Sequence, residues 1–157
     1  MRELRCLVLC AMLAACGGSS EPAAPQPTNH APAAGGHVHH APRGGLLVVL
    51  AEETAHAELI LDRARGGLDL YLLGPHAHSP LRSAQQKLWI TLDGADGELK
   101  LALVAEGNAL SGEAPGNTSH FSVTDDRLKS IGALAGRLGT VEVLGRRFEG
   151  ASFDSDH

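Results

Sequence analysis

The 157-residue chain carries nine histidines, at positions 30, 37, 39, 40, 56, 76, 78, 120 and 157, and seven of them precede position 80. Their spacing is the first chemical signal. His37-Val38-His39-His40 sets three imidazoles within four residues, and His76-Ala77-His78 repeats the alternate spacing. Neutral imidazole is the commonest protein ligand for zinc, copper and nickel. In an extended chain, residues two apart project to the same side, so each H-x-H pair can face one ion. Histidine-rich tracts of this kind are compositional metal signals. The candidate ligands for Zn, Cu or Ni are His37, His39, His40, His56, His76 and His78. The competing reading is a solvated segment in which histidine is polar filler.

Magnitudes bound the affinity. Ordering residues 37–40 costs roughly 1–2 kcal/mol each, whereas a structural zinc site contributes about 10–16 kcal/mol. A three-histidine site on a loose segment therefore binds modestly and suits capture and release better than a permanent cofactor. Binding of this kind should fade below about pH 6, where imidazoles protonate.

Other donors are scarce. The three cysteines are Cys6, Cys10 and Cys16, all near the N-terminus. Arg2 and Arg5 give a basic start, and Leu4 to Ala15 is a mostly apolar run. That run is shorter than the roughly 20 residues needed to span a bilayer and has the form of a secretory signal. It ends in Leu13-Ala14-Ala15-Cys16, which resembles the lipobox of bacterial lipoproteins. The resemblance implies cleavage before Cys16, acylation of that cysteine with fatty acids such as palmitate, and attachment to a membrane. Gly17 rather than Asp after the cysteine favours, by the same resemblance, the outer membrane facing the periplasm. Two or more acyl chains suffice for stable anchoring, at about 0.8 kcal/mol per buried CH2. A mature chain starting at Cys16 then has no free thiol for catalysis, thiolate zinc or disulfides.

Charge excludes a further class. The chain has 13 basic and 18 acidic residues. Removing residues 1–15, with Arg2, Arg5 and Glu3, leaves 11 and 17 and a net of −6. No Lys/Arg run exceeds Arg146-Arg147, so a nucleic-acid partner is not expected. Ser, His and Asp are present, but no nucleophile elbow, HExxH pair or phosphate-binding glycine loop appears. No enzymatic activity is expected.

The elements that would position the histidines follow from patterning. Residues 16–44 are mainly Gly, Ser, Pro, Ala and His, with prolines at 22, 25, 27, 32 and 42. Such a segment cannot offset its ordering entropy and reads as a disordered tether. As a flexible coil, its stretch from Gly17 to Pro42 reaches about 25–31 Å root-mean-square. Residues 45–157 suffice for one small domain. Leu46–Leu50, His56–Asp62 and Leu68–Leu73 read as strands, with Asp62–Gly67 a turn. Leu88–Leu92 and Leu99–Leu103 alternate around the turn Asp93–Gly97, and His120–Val123 is another short strand. His56 falls on the strand face opposite Ala57, Leu59 and Leu61, as a half-exposed residue. Asp125 reads as the cap of a helix in which Leu128, Ile131 and Leu134 or Ala135 share a face, with Gly136 as its stop. Thr140–Leu144 and Phe148–Phe153 read as a last hairpin turning at Gly145-Arg146-Arg147. The pattern predicts a mostly β domain, a small antiparallel β-sandwich or barrel with one short helix. An α+β sheet is the alternative.

Four stretches add a resemblance. They are Ala41-Pro-Arg-Gly-Gly45, His56-Ala-Glu-Leu59, Tyr71-Leu-Leu-Gly-Pro-His-Ala-His-Ser-Pro-Leu81 and Arg147-Phe-Glu-Gly-Ala-Ser-Phe153. Together they resemble a family of uncharacterised, histidine-containing bacterial lipoproteins, across most of residues 41–153. Similar patterns occur beside heavy-metal efflux components. His56 and His76 match positions that are often histidine in the family, whereas Arg43 stands where the family commonly has histidine. The resemblance lends neither an enzymatic activity nor established binding residues. Two functions emerge: a low-affinity transition-metal-binding accessory protein anchored at the envelope, or a non-catalytic β-module that binds another envelope protein or acts as a scaffold.

Overall fold

Period-2 alternation builds the strands. The computed structural model describes residues 39–50 and 53–156. Ten strands follow in order: β1 (Leu46–Leu50), β2 (Ala55–Asp62), β3 (Gly67–Leu73), β4 (Lys87–Gly94), β5 (Gly97–Ala105), β6 (His120–Thr124), β7 (Ala135–Leu138), β8 (Val141–Val143), β9 (Arg146–Phe148) and β10 (Ser152–Asp154). Eight of them form one antiparallel sheet in the order β1-β2-β3-β6-β5-β4-β7-β10, and β8 pairs with β9 as a separate ribbon. The sheet curls into a nearly closed, barrel-like fold. Its free edges are β1 and β10, and Gly45 and Leu46 at one edge share a cleft with Leu134 and Ser155 near the other.

The register explains the core. Leu59 pairs with Leu70, which pairs with Phe121, while Ile90 lies between Leu101 and Leu138. All six are buried and join one apolar cluster. Each such side chain contributes about 1.5–3 kcal/mol by leaving water. The described residues contain no cysteine, so this cluster, without disulfides, holds them together.

Three expectations change. The helix after Asp125 is a five-residue 3-10 turn, Asp126–Ser130, capped by the Asp125 side chain accepting from Arg127 N. Ile131 then takes an extended conformation, and Gly136 lies inside β7 rather than stopping a helix. Leu128, Ile131 and Leu134 are nonetheless all buried. A spacing of three serves a 3-10 turn followed by extended chain as well as an α-helical face. The last hairpin is shorter than expected, since β8 turns into β9 at Leu144-Gly145 and the chain then continues to β10, which pairs with β7. The start of the domain also moves. Residues 39–44, which composition groups with the tether, belong with the domain, because Arg43 N and Gly45 N both donate to the Glu58 carboxylate. The signal segment, Cys16, His37 and most of the tether lie outside the described residues.

Candidate metal site

Strand β2 carries the centre of the histidine cluster. His56 pairs with Val49 of β1 on one side and Leu73 of β3 on the other. Its face is the one opposite Ala57 and Leu59, as alternation requires, yet His56 is 0% exposed. The expectation of a half-exposed residue is therefore corrected: other chain segments cover this face. His56 Nδ1 lies 3.0 Å from the carbonyl oxygen of Gly74. A carbonyl only accepts, so Nδ1 carries the proton and Nε2 of the neutral ring holds a free lone pair. That Nε2 is buried and has no hydrogen-bond partner among the described residues.

The arm before β1 brings a second imidazole onto the first. Ala41–Gly44 forms a turn closed by Gly44 N donating to Ala41 O at 3.1 Å. Glu58 fastens it. Its fully buried carboxylate accepts from Arg43 N at 2.7 Å, Gly45 N at 3.1 Å and the Arg43 guanidinium at 3.2 Å. Gly45 passes so near β2 that a Cβ there would lie 2.4 Å from Leu59 O, so this position excludes any side chain. The Arg43 guanidinium also lies 3.9 Å over the Tyr71 ring. Arg43, which cannot ligate a cation, thus anchors the arm. Four residues upstream, the His39 ring meets His56 edge to face with centroids 4.8 Å apart. His39 Nε2 is also buried with no hydrogen-bond partner among the described residues.

The loop between β3 and β4 supplies the third ring. Gly74 opens it, and Gly74 O accepts from Ala77 N as well as from His56. Gly74 N donates to Ser79 O at 2.8 Å, closing a tight turn over Pro75–His78. The His76 ring sits 6.2 Å from that of His39 and is exposed to solvent. Ala77 adopts φ +55, so His76 and His78 are not the same-side pair that an extended H-x-H predicts. Among the described residues, ring contacts join His39 to His56 and to His76. His40 and His78 are exposed and lie outside this cluster.

Distances show how near the cluster is to a ligand set. Two imidazoles on one tetrahedral ion, with bonds of about 2.0–2.1 Å, have centroids roughly 5 Å apart. The His39–His56 pair, edge to face at 4.8 Å, matches this in centroid separation alone, whereas His39–His76, at 6.2 Å, is about an ångström wide. Accordingly, among the described residues, no three His, Cys, Asp or Glu side chains stand ready-made around one ion. His56 is buried, His39 is partly exposed and His76 is exposed, so a shared ion would need the outer two rings to move in.

His120 serves elsewhere. Its Nε2 lies 2.8 Å from Asp69 Oδ1, and its ring stacks on Tyr71 at 4.3 Å, nearly parallel. This is the hydrogen-bonded strand residue that its place before Phe121 implies. Asp62 caps its turn by accepting from Arg65 N. Sequence reasoning missed Glu58 as the anchor of the arm and Glu53, whose Oε2 lies 3.8 Å from His39 Nε2. A carboxylate at an inward-covered strand position is visible only once the covering arm is known. No family model, curated protein or solved structure matches the chain, so the functional reading rests on these side chains.

Proposed function

We propose that the protein is a lipid-anchored envelope protein that captures a late first-row transition-metal ion, Zn, Cu or Ni, with His39, His56 and His76. The observation that carries this reading is the pair of buried Nε2 atoms on His39 and His56 that have no hydrogen bond among the described residues. Leaving a buried polar group unsatisfied costs about 1–3 kcal/mol, and a shared cation would satisfy both at once. The Gly74 carbonyl on His56 Nδ1 is the outer-sphere partner typical of a metal-ligating histidine. The solvent-exposed third ring gives an entry path and fits modest affinity with ready release. His40 and His78, and by sequence His37, are auxiliary donors for ions arriving at the site.

Anchoring rests on Leu13-Ala14-Ala15-Cys16. Acylation of Cys16 would hold the domain at a membrane, on the outer membrane's periplasmic side, at the end of a proline-rich tether. Among the described residues no helix is long and apolar enough to cross a bilayer. Labelling cells with radioactive palmitate should mark the wild-type chain and not Cys16→Ala. Label that persists in the variant would remove the anchor from the account.

Titration calorimetry of the untagged full chain in detergent tests the site. Zn2+ should bind the wild type at one equivalent with modest affinity. His56→Ala should abolish that event, whereas His120→Ala should leave it intact. Equal heats for wild type and His56→Ala would reject the cluster as the site.

The alternative, a β-module that binds another envelope protein, has its own observation. Trp89 and Val104, on neighbouring strands β4 and β5, are each about half exposed. Cross-linking in cells, with Trp89→Ser as control, distinguishes it. A specific partner lost in that variant would favour this reading over metal capture.

A further inference from the structure

Three histidine ligands would leave one position of a tetrahedral ion to be filled, and Glu53, between β1 and β2, lies beside one of the three, His39. Glu53 Oε2 lies 3.8 Å from His39 Nε2. That is too long for a hydrogen bond. It is close to the spacing of about 3.3 Å expected for two donors sharing one tetrahedral ion. The His39 Nε2 it approaches is itself buried and has no hydrogen bond among the described residues. Glu53 also holds φ +66, a left-handed conformation that glycine adopts freely and that other residues adopt only under constraint. The turn next to it is tied down, since Thr54 Oγ1 accepts from Arg146 Nη1 at 3.2 Å. His56 follows three residues later, at the start of β2.

We propose that Glu53 is the fourth ligand, which makes the cargo a divalent ion such as Zn2+ rather than Cu+. This rests on the reading of His39, His56 and His76 as the other three. An anionic oxygen donor favours divalent ions, while Cu+ prefers thiolate and thioether donors. Three neutral imidazoles and one carboxylate leave a bound divalent ion with a single net positive charge. Glu53 is half exposed, so the ligand set closes from the solvent side without disturbing the core.

The test compares wild type, Glu53→Gln, His56→Ala and His78→Ala as untagged full chains, titrated with Zn2+ and, anaerobically, with Cu+. Melting in chelator should be the same for Glu53→Gln and wild type, showing an intact fold. Glu53→Gln should lose at least about tenfold in Zn2+ affinity, the scale on which mutations around metal sites act, and keep its Cu+ affinity. The visible spectrum of the Co2+ form should also change in this variant. Wild-type Zn2+ affinity in Glu53→Gln, with binding lost in His56→Ala, would overturn the inference while leaving the three-histidine site standing. Loss of affinity in His78→Ala but not in Glu53→Gln would also overturn it, assigning the fourth position to histidine. No Zn2+ binding by the wild type would overturn both.

Discussion

An imidazole whose Nδ1 is tied to a carbonyl, whose buried Nε2 lacks a hydrogen bond among the described residues and whose ring meets a second imidazole edge to face is poorly explained by packing alone. His56 and His39 form such a pair, and a buried nitrogen left without a hydrogen bond costs about 1–3 kcal/mol. His39→Phe keeps a ring at the edge-to-face contact and removes the buried nitrogen. In chelator this variant should gain about 1 kcal/mol of stability, or roughly 3–5 °C in melting temperature, measured by scanning calorimetry. A comparable loss would mean that His39 makes a structural hydrogen bond. Arg43 shows the opposite logic. Its guanidinium lies against Glu58 and Tyr71, so its role is to fasten the arm that delivers His39.

At the scale of elements, the barrel depends on a few tight approaches. Gly136 in β7 has φ +149, and a Cβ there would lie 2.1 Å from Thr91 O of β4. Gly136→Ala should therefore cost about 2–4 kcal/mol. Faster amide exchange should appear in β7 and in its partner β10, while β1 to β3 keep their protection. The long loop after β5 hangs on Glu113, whose side chain is 7% exposed. Burial pushes its carboxyl up, but the Ser119 and Ser111 hydroxyls, Ser119 N–H and Arg82 outweigh this and hold it below the ordinary carboxyl range. A folded-state value below the unfolded one adds stability that is complete above about pH 4.3. That stability is lost as pH falls through the folded value. Urea unfolding of wild type and Glu113→Gln should thus differ by a constant amount from pH 7 to 5, and the gap should shrink in more acid solution. A gap that widens there would contradict the assignment. Strands β2 to β5 were legible because Leu, Ile and Ala alternate with polar residues between Gly/Asp turns. The segment after Asp125 was not, since Leu128, Ile131 and Leu134 satisfy a helical stripe and a 3-10 turn equally.

Across the whole molecule, convergence was the part hidden from sequence. His39, His56 and His76 come from an arm, a strand and a loop, 17 and 20 residues apart, and the pairing of β2 with β3 and the Glu58 clasp bring them together. The adjacent spacing that made His37-Val38-His39-His40 and His76-Ala77-His78 conspicuous contributes one ring from each tract among the described residues. The reading is of a thiol-free domain with one closable imidazole site, held at a membrane through Cys16. X-ray absorption at the zinc edge, on full-length protein loaded with one equivalent of Zn2+, tests the site most directly. The spectrum should show nitrogen and oxygen donors at about 2.0–2.1 Å, with the outer-shell scattering of three imidazoles that falls in His56→Ala. A shell of oxygen donors alone, unchanged in that variant, would contradict it.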